Sequence, residues 1–207
     1  MLQRNLFPLI ALLAVAPLAN AVPDDGGGTR AAPAARPAAP PDPAKAKKAF
    51  TIGYEEYQMA SGLENAGATM TGEDAMRNKE AVKAAFTRSR DRFRVATGAG
   101  PDMKEAWNML GYTSRKLGDY EESLMAYERA LELAPDYPEA IEYRAELYLL
   151  TGKLAQVKEA YAYLLKAMPE YANVLKTSMN DWLKAGKTAP GLADADRKEF
   201  AAWVAKL

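Results

Sequence analysis

The chain has 207 residues, 49% hydrophobic and 26% charged, which suits one globular domain with room for extended segments at its ends. Lys plus Arg and Asp plus Glu both number 27, so no charge excess draws it to nucleic acid or to an anionic membrane surface. With no Cys and no His, disulfides, thiol nucleophiles, most zinc sites and the commonest general base are excluded; no metal or cofactor is expected, and apolar packing must hold any core.

Gln3-Arg4 precedes an almost unbroken apolar run from Leu6 to Leu18, and Ala19-Asn20-Ala21 then places small residues where signal peptidase cuts. Residues 1–21 read as a leader cleaved after Ala21. The run falls short of the ~20 residues of a membrane span, and Pro8 and Pro17 interrupt it. No Cys follows to carry a lipid. The expectation is a periplasmic or secreted protein with no stable membrane insertion after cleavage. Residues 22–44 begin with Asp24-Asp25-Gly26-Gly27-Gly28 and continue as an Ala/Pro alternation through Pro33, Pro37, Pro40, Pro41 and Pro43. Glycine makes the first part a flexible coil and proline makes the second an extended spacer, so this segment reads as a disordered linker.

From Lys45 to about Leu63 a helix is expected, with Phe50, Tyr54, Tyr57 and Met59 available for packing. A second spans Asp74 to about Thr97, with Val82, Ala85, Phe86, Phe93 and Ala96 at helical spacing and Gly98, Gly100 and Pro101 to end it. The Asn65–Gly72 stretch between them reads as an insertion.

Lys104 to Tyr137 holds two amphipathic patterns separated by Leu117-Gly118-Asp119-Tyr120, a helix-turn-helix of 34 residues. Trp107, Leu110 and Leu117 form the first apolar stripe; Leu124, Tyr127, Leu131 and Leu133 form the second. Gly111 and Ala130 are small where helices approach closely, Gly118 suits a helix end, and Pro135 stops the second helix. Pro138 to Tyr171 repeats the pattern with Ile141, Ala145, Tyr148, Gly152, Leu154, Tyr161 and Pro169, although Val157 and Leu164 replace the smaller Ser123 and Ala130. Beyond it, Tyr171, Val174, Leu175, Met179, Trp182 and Leu183 make one face of a capping helix over 171–185, with Asn173, Lys176, Asn180 and Lys184 outside. Residues 191–207 form a short amphipathic helix whose Phe200, Trp203, Val204 and Leu207 are expected to pack back on the body.

Trp107, Leu110-Gly111, Leu117-Gly118, Tyr120, Tyr127, Ala130-Leu131 and Pro135, at these spacings, resemble the tetratricopeptide-repeat family. The resemblance implies an all-α solenoid of helical hairpins over 45–190: clear repeats at 104–137 and 138–171, a degenerate one at about 70–103, and capping helices. It also implies a groove lined by the first helix of each repeat, which places Glu105, Asn108, Tyr112, Arg115 and Lys116 of one repeat and Glu139, Glu142, Glu146, Leu149 and Leu150 of the next on that face. The family's carboxylate clamp needs Lys and Asn where Asn108 and Tyr112 stand, so clamp-type recognition is not carried over.

Glu139, Glu142 and Glu146 share a helical face and would offer negative charge to a basic segment of a partner protein or peptide. Catalysis would rest on carboxylates alone, as in a glycan hydrolase. Adjacent glutamates such as Glu55-Glu56 and Glu121-Glu122 point about 100° apart on a helix, and no Ser has a His partner. The expected function is therefore a non-catalytic adaptor or assembly factor of the bacterial envelope, the alternatives being a self-associating structural subunit that meets its copies through Trp203 and, remotely, the hydrolase.

Overall fold

The computed structural model describes residues 40–207. The leader at 1–21 and the linker up to residue 39 lie outside the described residues. Eight helices and no strand occur among the described residues: α1 (Pro43–Gly67), α2 (Gly72–Ala99), α3 (Lys104–Leu117), α4 (Tyr120–Leu133), α5 (Pro138–Leu150), α6 (Leu154–Ala167), α7 (Pro169–Lys184) and α8 (Asp194–Val204). Each packs on its neighbour in the chain, and the first helices α3, α5 and α7 also lie side by side, as a solenoid of hairpins requires.

The helix ends follow from local chemistry. Asp42 accepts a hydrogen bond from the Lys45 amide at 2.9 Å and Pro43 occupies the first turn of α1, while the Asp119 carboxylate accepts from the Glu122 amide at 3.3 Å to cap α4. Gly118, Gly152 and Gly186 stand at 34-residue intervals and follow α3, α5 and α7 with φ of +83°, +73° and +62°. That third glycine marks α7 as the first helix of a third unit of the same period.

The first hairpin obeys the same rule in its core. Ser123 Oγ donates to the Gly111 carbonyl at 2.8 Å, tying α4 to α3, and Ser89 Oγ donates to the Gly53 carbonyl at 2.7 Å, tying α2 to α1. Both glycines sit beneath an aromatic ring of the second helix, Tyr127 over Gly111 and Phe93 over Gly53. Gly53 and Ser89 are 36 residues apart, whereas Gly111 and Ser123 are 12 apart. The surplus is helical: α1 has 25 residues and α2 has 28, against 14 for α3 and α4. At 1.5 Å per residue these arms reach roughly 40 Å, twice the length of α3. The stretch expected as an insertion at Asn65–Gly72 is instead the hairpin tip, with three of its residues still in α1.

One apolar core runs through α4 to α8, built on Leu131, Ile141, Val157, Leu164, Leu175 and Phe200. α8 completes it: Phe200 is 1% exposed, its ring centroid 6.2 Å from that of Trp182, and Trp203 meets Tyr161 edge-on at 5.7 Å. Phe200, Trp203 and Val204 of the terminal apolar face therefore pack against the body. Four expected packing residues do not. Tyr54, Met59, Val174 and Leu207 are exposed, Val174 because the outer side of α7 meets no further hairpin among the described residues and Leu207 because it lies past the end of α8.

Candidate functional site

The first helices place a row of tyrosines along one face of the solenoid. The Tyr54 ring lies 5.4 Å from Tyr57, Tyr57 meets Tyr112 edge-on at 5.3 Å, and Tyr112 meets Tyr143 at 5.0 Å, so rings of α1, α3 and α5 form a continuous floor. Arg115, one turn after Tyr112 on α3, lies against this floor, 5.2 Å from the Tyr112 centroid and 5.9 Å from that of Tyr143. Burial pushes the Tyr112 and Tyr143 hydroxyls well above the ordinary tyrosine range, so they stay neutral hydrogen-bonding groups. Of these rings only Tyr112 was expected in the groove; Tyr57 and Tyr143 were not. Each comes from a different hairpin, and their convergence is a property of the stack.

The anticipated groove residues fall into two groups. Glu105 is exposed near the start of α3. Lys116 reaches α1, with Nζ 2.6 Å from Glu64 Oε1. The others are drawn into the wall. Asn108 is buried, and Leu149 is covered more fully than Leu150. Arg115 Nη2 stands 2.5 Å from Glu146 Oε2, and Ser178 Oγ of α7 donates to Glu146 Oε1 at 2.5 Å. Tyr171 OH of α7 donates to Glu139 Oε1 at 2.8 Å. Glu142 is 2% exposed.

The three glutamates therefore do not form an open acidic face. A helix flanked on both sides by its equivalents in the neighbouring hairpins has little free surface, so residues at i, i+3 and i+7 turn into the seams with α3 and α7. The groups that satisfy these carboxylates, the Arg115 guanidinium and the Ser178 and Tyr171 hydroxyls, lie on other helices, out of reach of a periodicity argument. Burial works against the Arg115 charge, but Tyr127 and Glu146 outweigh it and hold the guanidinium above its ordinary pKa. Burial first, and the Glu146 carboxylate second, push Glu142 up to about 8.

At the ends of α3, α5 and α7 the face deepens into a cavity of about 380 Å³, lined by Arg115, Glu146, Leu150, Ser178, Trp182 and Lys187 among others. Its walls mix charge with apolar surface, as a site for a polypeptide side chain does. Among the described residues no cluster of acidic side chains could hold a metal ion, and no helix is long and apolar enough to cross a membrane.

Residues 105–137 match the family model described as the tetratricopeptide repeat. The chain is 34% identical over 83 residues to the peroxisomal targeting signal receptor of Candida glabrata and 32% identical over 83 residues to that of Eremothecium gossypii. Each of these matches covers 40% of this chain and 14% of the receptor. It is also 37% identical over 67 residues to the protein O-mannosyl-transferase TMTC1 of Homo sapiens, a match covering 32% of this chain and 8% of that protein. The chain thus spans only a small part of the length of these curated relatives, and the shared stretches of 83 and 67 residues are each about two repeats long.

Proposed function

We propose, from the premise that the chain carries tetratricopeptide repeats, that it is a non-catalytic interaction module that holds a segment of another protein along the face formed by α1, α3, α5 and α7. The observation that carries this reading is the tyrosine row Tyr54-Tyr57-Tyr112-Tyr143, an aromatic floor to which the first helices of three hairpins contribute and which Phe86 of α2 and Tyr127 of α4 back from beneath. Tyrosine gives large contact area at small entropic cost together with a hydroxyl that bonds a peptide backbone, which is why it anchors protein interfaces. The repeat match supports the same mode of action, and two of the proteins similar to this chain are named as receptors of a peroxisomal targeting signal. The transferase named among the relatives matches over 8% of its length, which supports shared repeats and no shared reaction.

The preferred partner segment is apolar with scattered basic residues: apolar groups for the tyrosine floor, and cations for Glu105 and for carboxylates at the cavity edge such as Asp181. The 1–21 leader argues for an envelope setting, which N-terminal sequencing of the purified protein tests: a start at Val22 agrees with export, and a start at Met1 does not. For the groove, the chain and its Tyr54→Ala/Glu105→Lys variant, both altered positions being exposed, are used side by side for affinity capture. A protein retained by the first and lost from the second is the expected result; equal retention contradicts the groove.

A further inference from the structure

Within the groove wall, α5 carries two carboxylates one turn apart, Glu142 and Glu146, and the cation that meets them is Arg115 of α3. Both oxygens of Glu146 are engaged, each with a lone pair left to accept a further hydrogen bond: Oε2 lies 2.5 Å from Arg115 Nη2, and Oε1 accepts from Ser178 Oγ at 2.5 Å. Glu142 is almost completely buried, and its Oε1 has no hydrogen-bond partner among the described residues. The groups facing Glu142 are Arg115 from α3, Tyr127 from α4, Tyr143 and Glu146 from its own helix, and Tyr171 from α7. The tyrosines are neutral, so two ionised glutamates beside one guanidinium would leave a negative charge uncompensated, and at Glu142 it would sit almost out of reach of water. A carboxylic acid at Glu142 removes that surplus and gains an O–H to donate toward Glu146.

We propose that Arg115, Glu142 and Glu146 form a proton-operated clasp between α3 and α5, which Ser178 extends to α7. It is closed while one proton is held between the two carboxylates and loosened when that proton leaves. The partner geometry assigns the proton to Glu142, because Glu146 is the carboxylate with both oxygens engaged. Burial and the adjacent Glu146 raise Glu142 to about 8. A raised carboxyl contributes its stability fully below its ordinary value of 4.5; that contribution declines as pH rises from there to the folded value and is gone above about 8. The seams that set the groove's width would then slacken in mildly alkaline medium, which makes docking of a segment proton-linked; that last consequence rests on the groove reading above.

The test uses the full chain without any partner. The Glu142 side-chain carboxyl carbon is followed by NMR from pH 4 to 10 and assigned by its loss in Glu142→Gln. Hydrogen exchange of the α5 and α7 amides is compared at pH 6 and pH 9 after correction for intrinsic exchange. The clasp requires a titration midpoint near 8, and protection in α5 and α7 that falls by at least about tenfold in the wild type but not in Glu142→Gln. A midpoint in the ordinary carboxylate range, or the same fall in both proteins, overturns it. Should the variant not fold, the wild-type titration, with the Glu142 carboxyl assigned by through-bond correlation to its own backbone, decides alone. Because no client is used, failure here leaves the groove reading to the capture experiment.

Discussion

Ser89 and Ser123 stand one 34-residue period apart, and each donates its hydroxyl to the carbonyl of a glycine on the partner helix of its own hairpin. The bond forms only if the helices are close, and the glycine is what lets them be. A Cβ on Gly111 would lie 2.6 Å from the Tyr127 ring. Gly111→Ala is therefore expected to lower stability in urea unfolding by about 1–3 kcal/mol through overpacking. Gly62, inside α1, has no atom within 4 Å of where a Cβ would stand, so Gly62→Ala is expected to add ~0.5–1 kcal/mol by helix propensity alone. Losses of similar size at both positions would remove close approach as the reason for Gly111. Glu122 gives a pH test at the same scale. It accepts Arg94 Nε and Nη2 at 2.7 and 2.9 Å and Ser114 Oγ at 2.6 Å. Burial alone would raise its pKa, but Arg94 and Ser114 outweigh burial and lower it. A lowered carboxyl stabilises above its ordinary value of 4.5 and loses that contribution as pH falls below it. The melting temperature of Glu122→Gln is accordingly expected to lie below that of the wild type at pH 7 and to converge with it in acid.

At the level of elements, α8 is the part whose role decides whether the solenoid ends or continues. Phe200 packs edge-on to Trp182 and sits in the main core, so Phe200→Ala is expected to cost about 3–5 kcal/mol by calorimetry or denaturant unfolding, while Leu207→Ala at the exposed end stays within about 0.5 kcal/mol. A negligible loss at Phe200 would mean α8 is not part of the folded body. Trp203, once a candidate contact between copies, is half-buried against Tyr161 and Phe200, which leaves little of its face for a second chain.

The helices of this region were legible because turn glycines, prolines and 3.6-residue stripes are local signals, and Gly118, Gly152 and Pro169 stand where those signals put them. The first hairpin was less legible, since its extra length adds helical turns on both arms and breaks the 34-residue count between Gly53 and Gly111. The floor of the groove was legible only at Tyr112. Whether a glutamate on α5 meets water or Arg115 depends on a helix some thirty residues away, and no pattern within α5 carries that information.

As a whole molecule the chain behaves as a short stack in which each hairpin touches its neighbours, so its stability should be a sum of local pairings and its function a property of the face they share. That face joins α1 to α5 through aromatic rings and α5 to α7 through Glu139–Tyr171 and Glu146–Ser178. The outer helices α4 and α6 carry exposed apolar side chains too, Met125 and Tyr163, which serve as an internal control of equal accessibility. A photo-crosslinking residue is placed at Tyr54, 42% exposed on the tyrosine row, and separately at Tyr163, 45% exposed on the outer side, in cells that make the protein. A discrete adduct with another protein from position 54 and none from position 163 is the expected result. Adducts from position 163 alone, or the same adducts from both, would contradict the claim that the shared inner face is where this protein holds its partner.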